Sequence, residues 1–124
     1  MVKLIYCLRR ISEMTQEEFQ DYWFNNHGPL VRKHAGTIRL KRYVQCHTML
    51  HMPANDEMRD ERGAPDPYDG VAELWWENLE ELALGYSTPE SQLVTQELYE
   101  DEKQFIDHSR SPVWFAEERI ILGL

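Results

Sequence analysis

Two histidines and a tyrosine, His27, Tyr43 and His47, are the side chains best suited to acid–base chemistry. An imidazole exchanges its proton near neutral pH, and a phenol can donate to a carbonyl or enolate oxygen. His27 falls on the inward face of a helix beside Gly28-Pro29, where an interrupted backbone can leave polar groups facing a cavity. The sequence predicts these three residues as catalytic, although His27 also fits a core histidine bonded to a carbonyl that Pro29 frees.

Residues 37–49 alternate in the manner of a strand, with one unusually polar face. The side chains of that face are Arg39, Lys41, Tyr43, Gln45 and His47. A phenol, an imidazole and two cations on one surface could orient and protonate an oxygen-bearing substrate. The same residues could instead form cross-strand pairs at a contact between two copies of the chain, so both interpretations stay open.

Large aromatic side chains could supply a flat apolar pocket for an aromatic ligand, or they could simply form the core. The set consists of Tyr6, Trp23, Trp75, Trp76 and Trp114. We expect Tyr6, Trp23 and Trp76, together with the cation of Lys41, to bind the substrate.

Cofactor motifs are weak in this sequence. His47 and His51 are four residues apart, a spacing that brings two metal ligands together on a helix but not on an alternating strand. A glycine-rich phosphate loop is not found either. We therefore expect neither a metal nor a nucleotide cofactor.

The elements that must position these residues follow the order β-α-β, a long loop, then β-α-α-β. Thr15 and Glu18 form a capping box before the first helix, and Pro29 is expected to break or kink that helix. Strands are predicted at 2–9, 37–49, 70–77 and 113–122, with a loop at about 50–68. Asn78 caps a short helix, and Thr88 with Pro89 opens a longer one.

This order is that of an α+β ferredoxin-like sandwich formed by a single domain of residues 1–124. Its helices cover one face of a four-stranded sheet. Three of the four predicted strands are nevertheless apolar on both faces, so the second face needs a cover. A second copy of the chain is the simplest cover, and we expect a homodimer.

The net charge of −9 disfavours nucleic acid and anionic membranes as partners. No run of 18 apolar residues is present, and no export signal is found at the start of the chain. We therefore expect a cytoplasmic protein in which Cys7 and Cys46 remain thiols.

The charge is unevenly distributed along the chain. Residues 1–62 hold 10 basic and 8 acidic side chains, whereas residues 63–124 hold 3 and 14. The basic excess is concentrated at Arg32, Lys33, Arg39, Lys41 and Arg42, around the predicted site. This predicts a positive pocket wall that favours a carboxylate, a phenolate or a developing enolate, and a solvated acidic second half.

Five segments of the chain resemble the EthD domain family: residues 1–10, 15–23, 27–31, 42–45 and 67–76. The most specific are His-Gly-Pro at 27–29, after a Trp-bearing helix, and Asp-Gly-Val-Ala-Glu-Leu-Trp at 69–75. The resemblance implies a dimeric α+β barrel, in which two ferredoxin-like chains pair their sheets. In related cofactor-free isomerases a histidine ending the first helix and a tyrosine on the second strand line the pocket, which here are His27 and Tyr43. The cysteine that some of them use on the third strand has no counterpart in 70–77.

The resemblance implies a cofactor-free acid–base enzyme, of isomerase, lyase or oxidoreductase type, in a catabolic or secondary-metabolite pathway. Its substrate would be a small, hydrophobic, oxygenated molecule. The family's namesake accompanies a monooxygenase system that degrades an ether fuel additive, so a non-catalytic accessory protein of a monooxygenase is the alternative. Haem binding, known among distant barrel relatives, would place His27, His47 or His108 as the axial ligand.

Overall fold

The computed structural model describes residues 1–123 and has the expected α+β, ferredoxin-like fold. Its antiparallel sheet has the order β2-β3-β1-β4, formed by β1 (Val2–Leu8), β2 (Arg42–His47), β3 (Gly70–Trp76) and β4 (Val113–Glu117). The helices are α1 (Gln16–Tyr22), α2 (Gly28–His34), α3 (Pro53–Arg62), α4 (Leu79–Ser87) and α5 (Pro89–Glu102). Within this part of the chain, no helix combines the length and apolar character needed to cross a bilayer.

At Pro29, where the sequence predicts a break or a kink, the chain stays helical through a local change of helix type. The capping box of Thr15 and Glu18 starts α1, and a π-helical turn, Trp23–His27, then joins it to α2. In that turn the Gly28 N–H bonds to the Trp23 carbonyl, five residues back. A proline within an α-helix crowds the carbonyl four residues before it. The wider turn loosens the helix immediately before Pro29, so the chain remains helical through this point.

The expected second strand is shortened at its start. Residues 36–39 form a turn in which Arg39 adopts a φ of 60°, and its guanidinium pairs with Glu81 at 2.6 Å. Arg39 is therefore not part of the polar strand face. Ile38 and Leu40 precede the start of β2, and both are buried in the core.

The predicted loop at 50–68 contains a helix, which corrects the expectation that this stretch has no regular structure. Helix α3 begins at Pro53 and ends at Arg62, and the next residue, Gly63, has a φ of 60°, the left-handed conformation that often follows a helix end. Its residues are mostly exposed, and none is buried. The low apolar content made this segment resemble a loop. The last strand is also shorter than predicted, since β4 ends at Glu117.

The sheet face away from the helices is partly covered by its own charged side chains. Trp75 is only 8% exposed, because Lys3 and Arg42 lie over its ring at 4.7 Å and 4.9 Å and Glu118 accepts from its indole N–H. Trp114 on the same face remains 45% exposed. The expected two-sided burial is thus incomplete within one chain.

Candidate functional site

A cavity of about 570 Å³ lies between the sheet and the helices. Four of the predicted site residues line it: Tyr6, Trp23, His27 and Tyr43. They come from β1, the π turn and β2, elements that are far apart in sequence. The remaining wall is largely apolar and draws on both hydrophobic clusters of the core, with Leu8 and Ala72 from one and Val31 and Leu98 from the other.

His27 is held by a carboxylate rather than by a backbone carbonyl. Its Nδ1 lies 2.8 Å from Oδ2 of Asp101, and the residue is only 6% exposed. Tyr22 donates its O–H to Oδ1 of the same carboxylate at 2.7 Å. Nδ1 donates to Asp101 when it carries the ring proton, and Nε2 is then free to accept a proton from a ligand in the cavity.

Tyr22 reinforces this arrangement by keeping its own proton. Burial, together with the hydrogen bond to Asp101 and the negative charge of that carboxylate, raises the pKa of Tyr22 to about 12. The phenol therefore remains a donor near neutral pH, and Asp101 is left as the acceptor between Tyr22 and His27. An imidazole oriented by a carboxylate is a common arrangement for a general base.

Tyr43 is oriented by Gln45, the residue two positions along the same strand face. The Gln45 amide nitrogen donates at 2.8 Å both to the Trp23 carbonyl and to the Tyr43 hydroxyl. Because the Trp23 carbonyl can only accept, it fixes which end of the amide faces inward. The Tyr43 oxygen thus accepts from Gln45, and its own hydrogen can point to another acceptor. Burial raises the pKa of Tyr43 to about 12, so it keeps that hydrogen.

His47 and Lys41, two of the predicted site residues, lie outside the cavity. They line a separate groove of about 370 Å³ beside the edge strand β2. The His47 ring stacks on Trp23 at 4.4 Å, and its Nε2 lies 2.8 Å from the Gln45 Oε1. Burial lowers the pKa of His47, so the neutral ring donates to that oxygen. His47 is therefore placed to position Gln45 rather than to meet a ligand in the cavity.

Trp76 is likewise not part of the cavity wall. It is fully buried, and its indole N–H donates to the Ile38 carbonyl at 2.8 Å. This bond ties β3 to the turn before β2. Trp76 is thus a core residue, as the alternative interpretation of the aromatic set allowed.

A second polar wall of the cavity is built around Glu102. Its Oε1 accepts from the Tyr6 hydroxyl at 2.8 Å and lies 3.0 Å from Nε2 of His108. The His108 ring stacks on Tyr99 at 4.8 Å, with 3° between the ring planes. Burial and the charge of Glu102 raise the pKa of Tyr6, which therefore stays protonated. Sequence reasoning named Tyr6, and named His108 only as a possible haem ligand, but did not find Glu102.

The predicted positive wall is not a feature of this cavity. No Lys or Arg of residues 1–123 lines the cavity, and Glu102 is the one carboxylate that does. Arg32, Lys41 and Arg42 line the outer groove instead. The acidic second half of the chain, expected to be only a solvated surface, supplies the two carboxylates that hold the site, Asp101 and Glu102.

One signal in the sequence could have identified those two carboxylates. They occupy the last turn of α5, which contains no basic residue. A helix C-terminus carries partial negative charge and favours cations, so adjacent acids there oppose a local preference. Such a conflict often marks a functional position.

A larger cleft, of about 830 Å³, lies elsewhere, between the end of β1 and α3. Three of its four arginines bond to the protein itself: Arg9 to the Pro67 carbonyl at 2.7 Å, Arg10 to Asp69 at 2.6 Å and Arg59 to Asp66 at 3.1 Å. We place more weight on the smaller cavity, because its polar groups face apolar walls. Among the described residues, no group of three or more His, Cys, Asp or Glu side chains is placed to hold a metal ion.

Comparison with known proteins gives a family but no specific activity. The family model of the EthD domain matches residues 12–109. An ethyl tert-butyl ether D family protein from Bacillus halodurans superposes with a TM-score of 0.63 at 20% identity, over 96% of this chain and 99% of that one. An EthD-like protein from Ralstonia eutropha gives 0.60 at 13%, over 98% and 95%.

A third solved structure is a dimeric protein of unknown function and ferredoxin-like fold from Bacteroides fragilis. It gives a TM-score of 0.57 at 11% identity, over 94% of this chain and 95% of that one. At these identities the structures show the shared fold. No curated protein matches this sequence at a significant level.

Proposed function

This chain belongs to the EthD domain family, and on that premise we propose that it is a cofactor-free acid–base enzyme acting on a small, hydrophobic, oxygenated molecule. The observation that carries the proposal is the pairing of His27 with Asp101 in a largely apolar cavity that Tyr43 also lines. An imidazole bonded to a carboxylate can act as a general base on a C–H group next to a carbonyl, and a phenol can donate a hydrogen bond to the carbonyl oxygen.

In the proposed reaction, His27 Nε2 removes a proton from a carbon next to a carbonyl group. The C–H electron pair moves into the new C=C bond of an enolate, while Tyr43 donates a hydrogen bond to the oxygen that gains negative charge. Asp101 stabilises the resulting imidazolium through Nδ1. Return of the same proton to a different carbon completes an isomerisation, and expulsion of a neighbouring leaving group completes an elimination.

We further propose that the protein is a homodimer. The Bacteroides fragilis protein of the same fold is described as dimeric, and the sheet face away from the helices keeps Trp114 half exposed. A second sheet packed on that face would bury it. Light scattering at micromolar concentration should give twice the chain mass, and a monomer would refute this part of the proposal.

The catalytic proposal is tested by hydrogen exchange, which needs no knowledge of the natural substrate. 2-Tetralone is a neutral bicyclic ketone with acidic C–H groups, and its exchange in D₂O is followed by proton NMR. The wild-type chain should accelerate exchange above buffer, and His27→Gln should slow it by about a hundredfold. His51→Gln is the matched control, since His51 is exposed and does not line the cavity.

The outcomes separate the two candidate roles. Equal rates for the wild-type chain and His27→Gln would refute the assignment of His27. Tight binding of the ketone with no exchange at all would favour the alternative, a non-catalytic protein that holds an intermediate for a monooxygenase.

A further inference from the structure

The second polar wall, Glu102 with Tyr6 and His108, has no part in the proposed proton transfer. Both donors reach the same oxygen, Oε1, at 2.8 Å and 3.0 Å. Oε2 has no hydrogen-bond partner among the side chains of residues 1–123. Because Glu102 lines the cavity, this oxygen is an acceptor available to a ligand.

Glu102 is the one carboxylate of this wall among the described residues, and Tyr6 and His108 both bond to its Oε1. Tyr6 holds its proton, no Lys or Arg of the described chain lines the cavity, and the His108 imidazole, 3.0 Å from Oε1, balances the carboxylate only when it is protonated. The wall therefore repels an anion and attracts a hydrogen-bond donor, and in an apolar cavity both effects are strengthened.

The two carboxylates of the last turn of α5 consequently serve different ends of the cavity. Both carboxylate oxygens of Asp101 are hydrogen-bonded, to Tyr22 and His27, whereas Glu102 is bonded through Oε1 and leaves Oε2 to accept from a ligand. We propose that Glu102 is a specificity-determining residue that binds a hydroxyl group of the substrate, so that the cavity selects neutral hydroxylated molecules and rejects carboxylates. This inference rests on the proposed function only in taking the cavity as the ligand site.

Three probes of one shape test the inference by calorimetry near pH 7: 2-naphthol, 2-methoxynaphthalene and 2-naphthoate. Naphthol offers a hydroxyl donor, the methyl ether lacks the donor, and naphthoate is an anion. We expect naphthol to bind about tenfold more tightly than the ether, the usual effect of one hydrogen bond to a charged group, and naphthoate to bind most weakly. This ranking uses only the wild-type chain and does not depend on the folding of a variant.

Glu102→Gln is the decisive variant, because the amide keeps the size of the side chain but removes its charge. The preference for naphthol over naphthoate should fall by about tenfold in this variant. Glu100→Gln is the matched control: Glu100 lies on the same helix, binds Gln96 and Lys103, and does not line the cavity. It should keep the wild-type ranking.

The possible failures are distinguishable. If naphthol binds without preference over the ether and naphthoate, or if Glu102→Gln keeps the wild-type ranking, the role of Glu102 is refuted while the cavity remains a ligand site. If none of the three probes binds, the cavity is not a site for small hydrophobic molecules, and the proposed function fails together with this inference.

Discussion

The two histidines nearest Trp23 lie in different chemical settings. On the cavity side, His27 bonds through Nδ1 to a carboxylate and lines the cavity. On the groove side, His47 stacks on the Trp23 ring and uses Nε2 to bind the Gln45 amide. Both residues are imidazoles at the sheet–helix boundary, and both are predicted as catalytic from the sequence.

The difference between them lies in the hydrogen-bond partner of each imidazole, which sets the proton transfers open to the ring. A carboxylate partner stabilises the imidazolium, so His27 can gain a proton during a reaction. An amide oxygen partner requires a hydrogen on Nε2, and burial lowers the pKa of His47, so this ring stays neutral. The proposed function accordingly uses the cavity side for proton transfer, while on the groove side Gln45 bonds to the Tyr43 hydroxyl.

Removing the carboxylate from the cavity side should give the largest effect. In Asp101→Asn the amide can donate to Nδ1 of His27, which would place the ring proton on Nε2 and remove the base. The exchange rate of 2-tetralone should fall by up to about a hundredfold with little change in binding. Asp21→Asn, an exposed side chain on α1 that binds Asn25, is the control. An unchanged rate in Asp101→Asn would remove the distinction between the two histidines.

The position of Trp23, which both regions share, depends on Gly70. A Cβ at residue 70 would lie 2.3 Å from Cζ3 of Trp23 and 3.0 Å from the Cys46 carbonyl oxygen. Gly70→Ala should therefore lower the free energy of unfolding by about 1–3 kcal/mol, measured by urea titration. Gly36→Ala is the matched control, since nothing lies within 4 Å of its added methyl group, and its stability should change little. Equal stabilities of the two variants would contradict this.

Much of this fold could be predicted from local patterns. The capping boxes at Thr15 and Thr88 and the Asn78 cap mark helix starts because they depend on residues close in sequence. Helix α3 was missed because it buries no apolar face, which is the feature that periodicity detects. The π turn was missed for a different reason. A change in the backbone hydrogen bonds of the helix relieves the clash at Pro29, and the residue types do not indicate which change is made.

Only part of the candidate site could be predicted from the sequence. Tyr6, Trp23, His27 and Tyr43 could be found because their types and positions on inward faces are visible in the sequence. Asp101 lies 74 residues after His27 in the sequence, and Glu102 lies 96 residues after Tyr6. Their contacts depend on how α5 packs over the sheet, which a count of charges along the chain does not reveal.

Breaking the groove-side support should have a smaller effect on activity than Asp101→Asn. Gln45→Leu removes the donor to the Tyr43 hydroxyl and leaves the Trp23 carbonyl with the Gly28 N–H alone. Tyr43 would then lose its fixed orientation, and we expect the exchange rate of 2-tetralone to fall by about tenfold. Gln92→Leu, an exposed side chain on α5, controls for the general effect of the substitution. A rate unchanged in Gln45→Leu would show that Tyr43 needs no support.

The smallest effect should appear in the pH dependence of stability. Since burial lowers the pKa of His47 in the folded chain below its ordinary value of about 6.5, the unfolded chain takes up a proton first as the pH falls. The stabilising effect of a neutral His47 is therefore complete above about pH 6.5 and decreases as the pH falls toward the folded pKa. Urea titrations of the wild-type chain and His47→Gln should give free energies of unfolding whose difference shifts against the wild type on acidification. A difference that does not vary with pH would mean that His47 can be protonated in place, and the groove side would then resemble the cavity side.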